Sequence, residues 1–367
     1  MTHLERILAT FKGKECDVIP WFADLTYWYN AELYHGTLPQ KYRGLEGTVD
    51  LYNDLGCGGH EHLLDLPCKV TYTDVEIVVT EEGDNRITEW HTPIGTLRQT
   101  NTFSARSYSS AIVDYPVKTV EDLKILRFIL ENQKVTPDYS RQEEMIAAWG
   151  GYGAASSLPP RTPFANLLVG WSGVLHTTYL LADDPMAVEE TLEVMAATDD
   201  PIYDIVCQSP APLVYFGDNI TSDVVSPKIF KKYYAPYYKK RAEQLHKFDK
   251  HIFVHIDGAV KGVLPLIADT GVDCAQSLTP YPAGDATIEE FRKLAGSDVV
   301  LWGGLPGAFF SEMYPEEVLL DSLMECLRLY RDDGKFIIGV ADQVPPDGVI
   351  ERVAKVSEIV EKYGRLG

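Results

Sequence analysis

Five short β-branched runs recur along the C-terminal half of this chain, and they constrain its fold more than any other feature. They are "APLVYFGDN" (211–219), "HIFVHIDG" (251–258), "VDCAQSLTP" (272–280), "VVLWGG" (299–304) and "FIIGVADQ" (336–343), separated by stretches of helical character. Strand, helix, strand in steps of roughly 25–40 residues makes right-handed βαβ units on a parallel sheet. The runs are apolar almost without interruption, as strands covered on both faces must be. Between them, "SPKIFKKYYAPYYKKRAEQLHKF" opens a helix with Ser226 as N-cap and Pro227 at its first position, and Pro236 predicts a kink or break. Similarly, "YPEEVLLDSLMECLRLYRDDG" begins with Pro315 and two glutamates and stops at Gly334.

The N-terminal half is compatible with the same plan, with a first strand at 17–24, a helix around 46–56 and a second strand near 59–66. Residues 69–100 then alternate at period two about "EEGDNR", which reads as a β-hairpin or small antiparallel insert reaching about 102. Helices are expected over about 119–132, 140–149 and 185–199. Eight βα units close into a barrel. The expected fold class is therefore α/β, a single (β/α)8 TIM barrel over 1–367 with a small β-hairpin insert in its N-terminal half. A doubly wound open sheet is the alternative, but no G-x-G-x-x-G or P-loop motif supports it.

A net charge of −21 argues against nucleic acid, whose phosphates demand a basic face, and against anionic membrane surfaces. No segment approaches the length of a membrane span, and the start of the chain lacks the pattern of a signal peptide, so a cytoplasmic protein is expected. The six cysteines show no C-x-x-C spacing and predict neither a disulfide framework nor an all-thiolate metal site.

In parallel α/β folds ligands sit beyond the carboxyl ends of the strands, so the last polar residues of each run are the candidates. They are Asp218 and Asn219, His255 and Asp257, Gln276 and Thr279, and Asp342 and Gln343. His255 and Asp257 lie two residues apart and leave their strand on the same side. Each residue also has a structural reading. A lone Asp at a strand end commonly caps a turn, Asp257-Gly258 is a common turn pair, and a buried histidine can be satisfied by hydrogen bonds alone. Together, His255, Asp257 and Asp342 make a nitrogen and oxygen set suited to a divalent metal, and without metal they can act as general acids or bases. The stretch "GGHEHLLD" (58–65) adds the pair His60 and His62, a weak metal signal, with Glu61 between them not placed by the sequence, and ends in Asp65, another rim carboxylate. The aromatics of "TYWYN" (26–30), with Tyr34, Trp149, Tyr152 and Trp171, are ordinary anchors or, at a barrel mouth, suit a flat substrate.

In order and spacing, "GDN…SPKIFKKYYAPYYKK…FVHIDG…LPLIADTGVDCAQSLTP…VVLWGGLP…PEEV…FIIGVADQVPPDG" over 217–365 resembles the uroporphyrinogen decarboxylase superfamily, with a looser match at "LERILATFKGKECDVIPW". The resemblance implies a (β/α)8 barrel with its site at the C-terminal mouth, and two chemistries. True uroporphyrinogen decarboxylases bind a polycarboxylate tetrapyrrole through an arginine-containing stretch after the first strand and a strand-end aspartate. Here that stretch, "WFADLTYWYNAELYHG", has no arginine, although Asp65 matches the aspartate. A polycarboxylate without those cations on so acidic a chain is physically awkward, which ranks decarboxylation second.

The other branch, the cobalamin-dependent methyltransferases, holds zinc through a His-x-Cys pair and a distant Cys. His255 matches that histidine, Asp257 stands at the first cysteine and Asp342 near the second. Carboxylates in place of thiolates make a harder site, suited to an oxygen-bearing substrate and a more Lewis-acidic zinc. The resemblance thus implies transfer of a methyl group from an O- or N-methyl donor, a methoxyaromatic among the candidates, to the cobalt of a separate corrinoid protein. Zinc would be held by His255, Asp257 and Asp342, with Asp218, Asn219, Gln276 and Asp65 as the catalytic polar groups, and a homodimer is allowed. A decarboxylase-like enzyme and a non-catalytic binding barrel are the alternatives.

Overall fold

The computed structural model describes residues 1–365 and divides into two compact units. The first holds Met1–Asp65, Tyr139–Leu158 and the chain from Ser209 onward. Its sheet has eight parallel strands: β1 (Trp21–Phe22), β2 (Leu64–Asp65), β3 (Ser156–Ser157), β4 (Leu213–Ile220), β5 (His251–Ile256), β6 (Cys274–Leu278), β7 (Val300–Pro306) and β8 (Phe336–Ala341). They are hydrogen-bonded in the order β1-β8-β7-β6-β5-β4-β3-β2. The sheet curls until its ends meet, for Phe22 bridges Gly58 just before β2. There the Gly58 N–H donates to the Trp21 carbonyl at 3.0 Å, and the Ala23 N–H to the Gly58 carbonyl at 3.1 Å. This is a TIM-barrel-like α/β fold.

Alternation along the strands sends Phe22, Leu213, Tyr215, Phe253, Cys274, Val300, Trp302 and Ile337 into one cluster. The Phe253 and Trp302 ring centroids stand 5.4 Å apart. Gly339 on β8 makes room for the indole, since a Cβ there would lie 2.6 Å from its ring atoms. Helix α1 (His3–Phe11), held by a reciprocal Thr2–Glu5 cap, adds Ile7 and Phe11 to the same cluster. The Phe11 ring lies 5.7 Å from His251, the first residue of β5, so α1 closes the N-terminal end of the strands.

The helical stretch after β4 starts at Pro227, where Ser226 Oγ accepts from the Ile229 N–H at 3.3 Å. The break expected at Pro236 is instead a widened turn over Phe230–Tyr234, after which Ala235–His246 runs on as regular helix. Widening lets the chain shed the hydrogen bond that proline cannot make. The helix Glu316–Tyr330 leaves Pro315 just outside its first turn and ends before Gly334 is reached.

The second unit, Leu66–Asp138 and Pro159–Gln208, carries an antiparallel sheet of strands Glu76–Glu82, Asn85–Thr92, Gly95–Ser104 and Ser109–Asp114, in that order. The insert is therefore a four-stranded meander in place of the small hairpin expected over 69–102. Cys68–Tyr72, at the start of that expected hairpin, pairs with Gln133–Pro137. Period-two alternation identifies strands but does not count how often the chain turns back. Helices Val120–Glu131, Gly173–Asp183 and Pro185–Gln208 belong to this unit, the last passing through Pro201 and beyond the expected end at 199. No disulfide joins the described cysteines, and all but Cys16 are buried. Among the described residues no helix is long and apolar enough to cross a membrane.

Because Phe253 touches the barrel interior from a position with no solvent exposure, Phe253→Ala is expected to cost about 3–5 kcal/mol. A chemical denaturation midpoint unchanged from wild type would contradict this packing.

Candidate functional site

His255 continues the inward face of β5 two residues beyond Phe253, and Gln276 does the same on β6 beyond Cys274. The register sets His255 beside Gln276, and His255 Nδ1 stands 2.7 Å from Gln276 Oε1. An amide oxygen only accepts, so Nδ1 is the donor and the neutral ring's tautomer leaves the lone pair on Nε2. Nε2 faces Asp342 Oδ1 at 3.9 Å, too far for a hydrogen bond. Asp342, just past β8, has φ 69°, and its N–H donates to Ser277 Oγ at 2.7 Å. Ser277 (φ 71°) and Asn219 (φ 52°) are left-handed too. Three strand ends thus hold non-glycine residues in a backbone state costing about 1–3 kcal/mol each, a form of strain that clusters at functional sites.

Two carboxyl groups join this histidine. Asp24, just past β1, is buried, and its Oδ1 accepts from the Thr26 N–H at 2.8 Å and the Thr26 hydroxyl at 2.6 Å. Burial pushes its pKa up to about 7, reinforced by the charge of Asp342 and opposed by the Thr26 hydrogen bonds. Burial likewise lifts Glu61 well above the usual carboxylate range, with Asp24 and Asp342 adding repulsion. Asp342 is raised by burial as well, with His255 pulling it down and Asp257 pushing it up.

Neutral imidazoles complete the cluster. His60 Nδ1 lies 3.5 Å from Glu61 Oε1 and its ring 4.6 Å from that of Trp302, while burial, aided by His255 and His62, lowers its pKa to about 3. His62 sits against Tyr29 and Tyr52, with ring centroids at 5.3 and 5.8 Å, and burial brings it down to about 4. His60 Nδ1, His62 Nε2 and Gln343 Oε1 are buried without a hydrogen-bond partner among the described residues. Such atoms are open to a ligand or water. The site can therefore hold and release protons.

The other expected residues are placed as follows. Asp257 serves the turn, its Oδ1 accepting from the Gly258 N–H at 2.7 Å and from Thr279 Oγ1 at 3.0 Å. Asp218 is corrected. It accepts from the Tyr238 hydroxyl at 2.5 Å, on the same outer helix whose Tyr238 ring stacks on Phe216, so it faces the helix layer and not His255. Alternation agrees, because Tyr215 faces the interior and Asp218, three residues on, shares the outward face of Phe216. Asn219 is exposed, and Asp65 stands 3.7 Å from Arg141 Nε. Sequence reading did not single out Asp24, although it ends the first apolar run just as Asp218 ends a later one. Glu61 was in view but could not be aimed, because the bend at His60–Leu63 has no period to read.

Among the described residues no three His, Cys, Asp or Glu side chains stand ready to hold a metal ion. His255 Nε2 and Asp342 Oδ1 face one another with suitable donor chemistry, while the Asp257 oxygen is engaged in its turn.

Asp24 carries a linkage prediction. Its folded pKa is raised from 3.8 to about 7, so the folded state holds a proton that the unfolded state has lost across that interval. Stability from this group is full below the lower value and falls as pH rises through the upper one. Asp24→Asn is expected to gain stability over wild type progressively across that window, read from unfolding midpoints at stepped pH. A difference that stays flat with pH would refute the assignment.

The uroporphyrinogen decarboxylase (URO-D) family profile matches residues 159–363, more than half of the chain. Among solved structures, a methyltransferase from Methanosarcina mazei superposes with a TM-score of 0.62 at 13% identity, over 99% of each chain, a likeness of fold. Two structures of the pneumococcal exo-β-D-N-acetylglucosaminidase StrH match at TM-scores of 0.39 and 0.38, with 12% and 13% identity, over 88% and 87% of this chain and 80% and 79% of theirs. Scores that low carry no argument. No curated protein sequence matches the chain. On the strength of the profile match and the strand-end residues it spans, the chain belongs to the uroporphyrinogen decarboxylase family.

Proposed function

We propose that this protein is a methyltransferase that moves a methyl group from an O- or N-methyl donor, with a methoxyaromatic as the leading class, to a corrinoid carried by a separate protein. The family and the full-length likeness in fold to a methyltransferase support the class. The observation that carries the choice of donor is the pair Asp24 and Glu61, whose pKa values burial raises, that of Asp24 to about 7. An ether oxygen losing its methyl group keeps the bonding electrons and needs a proton; a quaternary amine leaves neutral and needs none. Proton-holding carboxyl groups therefore favour an oxygen-linked methyl.

In this reading Glu61 donates its proton to the departing oxygen beside neutral His60, whose Nδ1 lies 3.5 Å away without a hydrogen bond and is open to the donor. Gln276 fixes the His255 tautomer, keeping Nε2 as an acceptor toward the donor. The buried floor of Trp302 and Phe253 excludes water. The Asp342 side chain is 48% exposed, which leaves the mouth accessible to a large acceptor. The corrinoid cobalt supplies the nucleophile that takes the methyl group in line. Where zinc is bound, His255 and Asp342 are the residues to hold it, and it supplies Lewis-acid stabilisation of the leaving oxygen. The family match also keeps a decarboxylase reading, in which the same proton goes to a carbanion, but the stretch after the first strand supplies no arginine for a polycarboxylate.

The test is methylation of corrinoid proteins from a panel of methyl ethers and methylamines, with metal content measured by elemental mass spectrometry. Glu61→Gln is expected to lower turnover of ethers by about 10²–10⁴ and to spare any quaternary amine. No transfer from any ether, by protein assayed with and without zinc, sinks the proposal, and release of carbon dioxide from a porphyrinogen carboxylate would put decarboxylation in its place.

A further inference from the structure

The chain carries a net charge of −21, yet one helical stretch departs from it. Pro227–His246, which follows β4, exposes Lys228, Lys231, Lys232, Lys239 and Lys240, with Lys247 just past its end, and Glu243 is its only acid. Phe230, Tyr234, Tyr238 and Leu245 are buried, so the lysines share the outer face. Among the described residues Lys228, Lys231, Lys239 and Lys247 make no ion pair. The first turns of a helix are the positive end of its dipole, where cations are disfavoured and acids are stabilising. Other helices of this chain set acids there: Glu5, Glu121 and Asp122, Glu289 and Glu290, Glu316 and Glu317. Here the first two turns hold Lys228, Lys231 and Lys232 instead. A local rule broken against stability points to function.

The backbone sets the start of this face beside the candidate site. β4 ends at Ile220, whose carbonyl accepts at 3.0 Å from the N–H of Asp257, two residues past His255. The Ser222 N–H donates to the Ala259 carbonyl at 2.7 Å, and Ser222 Oγ accepts from the Gly262 N–H at 2.9 Å. The turn that opens the helix is thereby tied to the loop after β5. Lys228, Lys231 and Lys232 begin at the rim of the mouth, and Lys239, Lys240 and Lys247 continue down the outside. The apolar side of the helix is buried against the barrel and has nothing to insert into a membrane. Exposed lysines on an otherwise acidic molecule suit an acidic protein face, which the rest of the surface repels.

We propose that the lysine face of Pro227–His246 steers and docks the corrinoid-carrying protein through an acidic surface of that partner, an inference that rests on the methyl-transfer reading. The test is methyl transfer from an ether to the corrinoid protein, beside transfer to free cob(I)alamin, which needs no docking. With the carrier, KM is expected to rise with salt. A Lys228→Glu, Lys231→Glu double variant is expected to raise the carrier KM about tenfold, with kcat and the rate on free cob(I)alamin unchanged. Its unfolding midpoint is expected to match or exceed that of wild type, because acids suit that end of the helix. The control is a Lys355→Glu, Lys362→Glu double variant on helix Ile350–Tyr363, which follows β8, four strands away around the sheet. It changes net charge equally and is expected to leave KM alone. A carrier KM unmoved by the first variant, or moved equally by both, overturns the docking face, while transfer to free cob(I)alamin keeps the reading. Pelleting of wild type with phosphatidylserine vesicles, with a KM indifferent to these lysines, gives the face to a membrane and also overturns it. No transfer to either acceptor overturns the reading and the docking face together.

Discussion

The register of β5 against β6 is the constraint on which the candidate site depends. It sets Phe253 beside Cys274 and, two residues on, His255 beside Gln276. A slip of one residue would turn both polar side chains out to the helix layer and bring Val254 and Ala275 inward. The aromatic floor and the polar mouth are therefore one decision made twice along the same strands. Trp302 links them from β7, lying 5.4 Å from Phe253 below and 4.6 Å from His60 above.

Above that floor the balance of forces is electrostatic. Asp24 and Glu61 sit where solvation is poor and both feel the charge of Asp342, which itself feels His255 and Asp257. Isolated buried carboxylates are costly, so such groups keep a proton or acquire a cationic partner. The chain has accepted that cost together with left-handed backbone at Asn219, Ser277 and Asp342. Strain and repulsion at the same strand ends mark where packing has given way to chemistry.

Much of this was legible in the sequence. The apolar runs named the long strands β4 to β8, because covered parallel strands have few other compositions. His255, Gln276 and Asp342 followed from strand ends alone. The short strands β1, β2 and β3 were harder, since two residues between bends carry no period, and the same brevity hid the aim of Asp24 and Glu61. Asp218 shows the reverse failure: its place at a strand end drew attention, while alternation from inward Tyr215 already puts it on the outward face, where Tyr238 meets it. The meander was underestimated because "TPIG" at 92–95 signals a stop without saying that the next strand returns to the same sheet.

The pairing of β1 with β8, Trp21 with Ile338, has a consequence for how the protein comes into being. Asp24 and Glu61 leave the ribosome early, and His255, Gln276 and Asp342 late. Until β8 has emerged, β1 lacks that neighbour and the early carboxyl groups remain in water, ionised and harmless. Contacts of such long sequence separation form slowly. The burial that raises the pKa values of Asp24 and Glu61 therefore waits on strands made late.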